Sequence, residues 1–137
     1  MTRFVIGTDV ALHLAQTKAV VPTMHQLLAP TLIRSQVLAE LYARVQRGAL
    51  DRKTAERQLD HLRALRLRLL GDRVLQGRAW DIAVQLGWPD TFIAEYLALT
   101  QLQADAFICM DSALARAVRG IVTVATINDL MGSTLPR

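Results

Sequence analysis

The sequence predicts an α/β fold, a parallel sheet packed between helices as a three-layer α/β/α sandwich. Three observations predict it. Apolar runs of strand length, at residues 4–6, 26–29, 106–110 and 121–125, recur between longer stretches with helical spacing. Most of these runs are continuous instead of alternating, as expected of strands covered on both faces. The chain has 137 residues, 52% of them hydrophobic, which suits a single core. We assign residues 1–131 to one domain and 132–137 to a short C-terminal tail.

The elements follow in order. Phe4, Val5 and Ile6 form a buried strand ending at Gly7, and the set Val10, Ala11, Leu12 and Leu14 after Asp9 starts a brief helix. Residues 26–29 form a second strand, stopped by Pro30. Ile33, Val37, Leu41 and Val45 recur every four residues, and Gly48 closes that helix. A further helix spans 52–64. Leu65, Leu67 and Leu69 alternate with Arg66 and Arg68, a period of two that predicts a strand with both arginines on one face. Gly71-Asp72 turns the chain into a helix ending near Gly87, and Pro89-Asp90 opens another carrying Phe92, Ile93, Tyr96, Leu97 and Leu99. The strand at 106–110, a short helix from Asp111 to Arg119 and the strand at 121–125 complete the set, with a frayed tail beyond Met131.

Composition narrows the function. Sixteen basic side chains against twelve acidic give a net charge of +4. Ten of the basic residues and only four acids lie between Arg44 and Arg78, so that segment carries +6 and the remainder −2. A basic middle on an acidic body suits a polyanion. The single cysteine, Cys109, forbids an internal disulfide and fits a reducing compartment. His13, His25 and His61 lack metal-ligand spacing and read as structural. The chain shows no signal-peptide pattern, no membrane-length apolar run, no nucleotide-binding glycine fingerprint and no nucleophile elbow. A cytoplasmic domain without membrane attachment is expected.

In folds of this class ligands bind beyond the carboxyl ends of the strands. Carboxylates gathered there would hold a hard divalent cation, Mg2+ or Mn2+, able to activate water for attack on a phosphodiester. The candidates, as catalytic groups and metal ligands alike, are Asp9, Glu40, Asp90 and Asp111. Each has a plainer role available. Glu40 is spaced for an ion pair with Arg44, worth about 0.3–0.5 kcal/mol. Asp9, Asp90 and Asp111 each stand where a helix would take an N-cap.

Four segments carry a resemblance: Phe4-Val5-Ile6-Gly7-Thr8-Asp9-Val10, the stretch from Ala29-Pro30 to Ala39-Glu40, the stretch Asp90-Thr91-Phe92-Ile93-Ala94-Glu95-Tyr96-Leu97-Ala98-Leu99, and Ala104 to Asp111. Together, in this order, they resemble a PIN domain, the nuclease fold of VapC-type toxins from toxin–antitoxin pairs. The resemblance covers nearly the whole chain and implies a Mg2+- or Mn2+-dependent endoribonuclease, a hydrolase, built on four acids. It also implies an antitoxin partner, an RNA substrate and a homodimer. Carried over, the second acid matches Glu40 and the last matches Asp111, while Gly7 and Ile93 stand where the other two belong. Asp9 lies two residues beyond Gly7 and Asp90 one helical turn before Ile93, so both are possible substitutes. Two readings stay open: a ribonuclease with weakened or lost activity, or a catalytically inactive PIN-fold module that binds RNA or an antitoxin-like protein. A flavodoxin-like regulatory domain fits less well, since no receiver or flavin pattern is present.

Of the remaining residues, Trp80 and Trp88 are expected in the core or a dimer face, Tyr96 in the core, and Cys109 as an inert buried thiol.

Overall fold

The computed structural model describes residues 1–132. The last five positions of the expected tail, 133–137, lie outside the described residues. Five parallel strands form one sheet in the order β3-β2-β1-β4-β5. They are β1 (Thr2–Ile6), β2 (His25–Pro30), β3 (Arg68–Leu70), β4 (Ala106–Ile108) and β5 (Val124–Ala125). The helices are α1 (Thr8–Thr17), α2 (Ile33–Gln46), α3 (Arg52–Ala64), α4 (Arg73–Leu86), α5 (Phe92–Gln103), α6 (Ser112–Val118) and α7 (Ile127–Met131). On one side α1 packs against α2 and α3; elsewhere α4 runs along α5, which lies on β1, β2 and β4. The result is the three-layer α/β/α sandwich that the apolar runs predict.

The continuous runs are explained by position. Strand β1 is central, with Phe4 opposite Leu27 on one flank and Ala106 on the other, and Val5 and Ile6 are wholly buried. Its neighbours supply Leu28 and Ile108, also wholly buried. Full burial of such a side chain contributes about 1.5–3 kcal/mol, so the strand triplet β2-β1-β4 and α5, with Leu97 and Leu99 fully enclosed, form the stable centre. Because every strand is parallel, all carboxyl ends emerge on one edge. The strand order reverses between β1 and β4, which makes that edge a topological switch point.

Several expected boundaries move. The predicted strand through Leu65 and Arg66 is corrected: α3 runs to Ala64, Leu65 caps it, and Arg66 turns the chain in the left-handed region at φ 55°. Only Arg68–Leu70 pairs with β2, so Arg66 and Arg68 do not share a strand face. Strand β4 stops at Ile108 because its partner β1 ends at Ile6 and bends into α1, leaving Cys109 and Met110 without a ladder. Strand β5 is short because the amides of Ile121 and Val122 bond back to Val118 at the end of α6. Helix α7 is an element that apolar spacing passes over. It begins in a capping box in which Thr126 and Asp129 bond each other's backbone amides. Of the two places expected for the tryptophans, the core is ruled out for Trp80, which is 68% exposed, whereas Trp88 is half-buried against the core. Among the described residues no helix is long and apolar enough to cross a membrane.

Candidate functional site

The carboxyl edge of the sheet is built by three segments. The chain leaves β1 through Gly7 at φ −83° and enters α1, leaves β4 through Cys109 to Asp111 and enters α6, and is overlooked by α2 and α5. At its centre the side chains that meet are neutral. Gln36 on α2 accepts with Oε1 from the Tyr96 hydroxyl at 2.5 Å and from the Thr8 hydroxyl at 3.1 Å, and the two hydroxyl oxygens lie 3.2 Å apart. The network ties β1–α1, α2 and α5 together over the strand ends. Tyr96 is 4% exposed. Burial pushes its phenol up to about 12, with the nearby Glu95 and Asp9 charges adding to the rise against the bond from Thr8. It is therefore a neutral hydroxyl across the physiological range.

The four sequence candidates do not gather into one cluster; only Asp9 and Asp111 come near one side chain, Cys109. Glu40, one turn after Gln36, turns outward, where Oε2 accepts from Arg44 Nε at 2.9 Å and stands 3.5 Å from an Arg47 guanidinium nitrogen. The Arg44 hydrogen bond, with Arg44 and Arg47 charge beside it, holds this carboxyl below its usual value despite slight desolvation. Asp111 caps α6, its Oδ1 accepting from the amides of Ala113 and Leu114 at 2.9 and 3.2 Å. Asp90 is exposed and accepts from the Phe92 amide at 3.2 Å, while the N-cap position of α5 belongs to Thr91. Asp9 is exposed in the first turn of α1, with Gly7 at the N-cap, and its Oδ1 is held by the Val10 amide at 2.8 Å.

Asp9 nevertheless approaches the place where the resemblance expects an acid. A Cβ built on Gly7 would stand 3.1 Å from Asp9 Oδ1, so this carboxylate fills part of the space a residue-7 side chain would enter. Asp9 and Asp111 both lie near Cys109, whose thiol is pushed up by burial first and by these two charges as well. Cys109 is half-buried, with Sγ 3.2 Å from the Asp111 carbonyl, and its raised pKa fits an unreactive thiol. Ile93 is partly exposed and brings a hydrocarbon to the fourth acid position. Burial also raises the carboxyl of Glu95, a residue the sequence reading did not single out.

The donor set does not fit a resident divalent cation. Magnesium and manganese require several charged oxygens in near-octahedral array. Here Glu40 Oε2 is bonded to Arg44 with Arg47 beside it, Asp9, Asp90 and Asp111 each accept from backbone amides, and the inward-facing α2 group is an amide. Among the described residues no group of three His, Cys, Asp or Glu side chains is placed to hold a metal ion. Sequence reasoning missed Thr8 and Gln36 because a search for acids passes over neutral side chains. The available signal was spacing, since Gln36 lies one turn before Glu40 at the border of the same apolar stripe.

Two of the three histidines make packing or hydrogen-bond contacts within the fold. His61 Nε2 lies 2.9 Å from the Ala19 carbonyl, and His25 packs edge-on against Phe4 at 5.1 Å. Of the ten basic residues in the middle segment, Arg44, Arg47, Arg52 and Arg63 are already paired with acids of α2 or α3, which reduces the free positive charge of that face.

No protein-family model and no curated protein sequence matches the chain. Solved structures do. PAE2754 from Pyrobaculum aerophilum superposes with a TM-score of 0.74 at 18% identity, covering 96% of this chain and 94% of its own. VapBC2 from Rickettsia felis, solved bound to a DNA fragment from their promoter, superposes with a TM-score of 0.61 at 12% identity over 90% of this chain and 98% of the matched one. At such identities the likeness establishes the architecture, and the chain has the three-layer PIN-like fold that its four sequence segments resemble.

Proposed function

We propose that this protein is a PIN-fold binding module of the toxin–antitoxin kind, taking an antitoxin-like protein as its partner, and that it does not work as a metal-dependent ribonuclease. One observation carries the reading: the α2 side chain facing the strand ends is Gln36, bonded to Thr8 and Tyr96, while Glu40 is spent on Arg44 and Arg47. A site that hydrolyses phosphodiesters through a cation concentrates negative charge at that point. This one concentrates hydroxyls and an amide. The VapBC2 neighbour, an assembly found on promoter DNA, supports a protein partner and a cytoplasmic setting. An open groove between α2 and α3, with Leu38 and Tyr42 exposed and Ala55 and Leu59 at its floor, offers apolar surface on the same helix as Gln36.

A second reading has a specific observation in its favour. Asp9 beside Gly7, and Asp111 across Cys109, put two carboxylates on the β1–β4 edge. These would be the ligands of a weakened Mg2+- or Mn2+-dependent endoribonuclease.

Manganese titration by calorimetry on the folded protein, with an RNA cleavage assay alongside, separates the two. The binding-module reading expects no saturable heat at millimolar manganese and no cleavage above buffer. Saturable binding and cleavage that both vanish in Asp9→Asn and Asp111→Asn would replace it with the second reading.

A further inference from the structure

Of the five longer helices, α3 is held least by its own fold. Among its 13 residues only Ala55 and Gln58 are buried, whereas α2 buries Ile33, Val37 and Leu41, and α4 buries Leu75 and Ile82. Leu59 and Leu62 are only half-buried against the core. Gln58 works against closure: its Oε1 is shut away from solvent and accepts no hydrogen bond among the described residues. The main neighbours of the helix are α1 and α2. Its ion pairs and side-chain hydrogen bonds stay within the helix and its Asp51 cap, except the one that His61 Nε2 donates to the Ala19 carbonyl. Open clefts flank it on both sides. One is the groove toward α2, and in the other His61 and Leu65 face Val21, Pro22 and Leu27. The flanking chain turns through left-handed residues, Gly48 at φ 77° and Arg66 at φ 55°, and the sheet resumes only at Arg68. A side chain makes that conformation costly for Arg66, and the cost is relieved when the segment lets go.

We infer that residues 51–66 are a separate opening unit: α3 leaves α1 and α2 and unwinds while the sheet, α4 and α5 stay folded. A helix of this length is marginal in water without packing, so detachment and loss of its backbone bonds go together. The groove between α2 and α3 therefore has one fixed side and one adjustable side. Leu41, wholly buried, anchors the α2 side, while Ala55 and Leu59 travel with α3. A segment seated against both helices holds α3 closed, so occupancy of the groove and folding of α3 are coupled. The opening is a property of the chain alone. It does not rest on the binding-module reading, because neither manganese nor RNA enters it.

The test is native-state amide hydrogen exchange on the full chain, in water and at rising sub-denaturing urea. Amides of α3 should be about a hundredfold or more less protected than those of Val5, Ile6 and Leu97, whose enclosed side chains have no counterpart in α3. Their rates should rise only weakly with urea, since little surface is uncovered. Gln58→Leu removes the stranded oxygen and should raise α3 protection about tenfold. His61→Ala should lower it about fivefold. Ile108→Val should speed exchange at the centre about fivefold and leave α3 rates unchanged, because the centre is intact in both the closed and the opened chain. Amides of α3 that share the rate and urea dependence of β1 overturn the inference. So do α3 rates that follow Ile108→Val or ignore Gln58→Leu.

Discussion

Helix α2 presents two amide-or-acid side chains one turn apart, and they live in opposite chemistries. Gln36 faces inward over the strand ends, where it accepts bonds from two hydroxyls, one of them on the buried Tyr96. Glu40 faces outward among Arg44 and Arg47. The inner turn is neutral and fixed by packing; the outer turn is charged and fixed by ions open to water. The lesson is about where charge is affordable. At the carboxyl edge a cluster of carboxylates is stable only if a cation offsets their repulsion, and here glycine and isoleucine stand at positions 7 and 93, the amide of Gln36 faces the strand ends, and Glu40 is bonded to arginine.

The sharpest break of the comparison is at Tyr96. Tyr96→Ala empties a buried ring position and takes one of the two donors from Gln36, and should lower unfolding stability by about 3–5 kcal/mol in denaturant titration. Tyr96→Phe keeps the ring and should cost only about 1 kcal/mol. If Tyr96→Ala costs no more than Glu40→Ala, the inner network does not organise this edge.

The next test moves charge inward. Gly7→Asp, Gln36→Glu and Ile93→Asp in one chain, with Asp111 in place, should create a divalent-cation site. Residue 7 has an extended backbone that accepts a side chain, and its Cβ would push Asp9 aside by a few tenths of an ångström. A carboxylate at 36 still accepts from both hydroxyls. Manganese affinity should rise by at least a hundredfold over wild type, about 2.7 kcal/mol. Adding Glu40→Gln should leave that gain untouched. A gain that depends on Glu40 would return the α2 ligand to the outer turn.

Asp111 tests a smaller effect. Its carboxylate closes two open amides of α6, so Asp111→Ala should destabilise the fold by about 1 kcal/mol. Asp111→Asn or Asp111→Ser should recover most of the loss, as a cap allows and a metal ligand would not.

What the sequence made legible follows from the same physics. Strands buried on both faces announce themselves as continuous apolar runs, so β1, β2 and β4 and the helices between them could be read directly. Edge pieces could not. The leucine–arginine alternation at 65–69 runs through the C-cap of α3 at Leu65, a left-handed turn at Arg66 and the start of β3 at Arg68, so an exposed turn arginine and an exposed edge-strand arginine together imitate a strand's period of two. For the site, Glu40 and Asp111 stand at motif-matched positions, yet which way a helical side chain points depends on neighbours distant in sequence. Thr8 and Tyr96 select Gln36, and they lie 28 and 60 residues away.

The smallest effect belongs to the outer turn. The Arg44 hydrogen bond and the two guanidinium charges lower the folded-state pKa of Glu40 below 4.5. A depressed carboxyl binds its proton less readily folded than unfolded. Its contribution is therefore fully present above the unfolded pKa and is lost as pH falls through the folded value. The pair is solvent-open, with side chains 39% and 30% exposed, so the contribution stays below about 1 kcal/mol. Glu40→Gln should accordingly lower stability by a few tenths of a kcal/mol near neutral pH and in low salt. The deficit should shrink with added salt and close as pH falls through the folded-state value. A deficit that persists in acid would mean that Glu40 acts through packing on α2, and the contrast between the two turns would then rest on Gln36 alone.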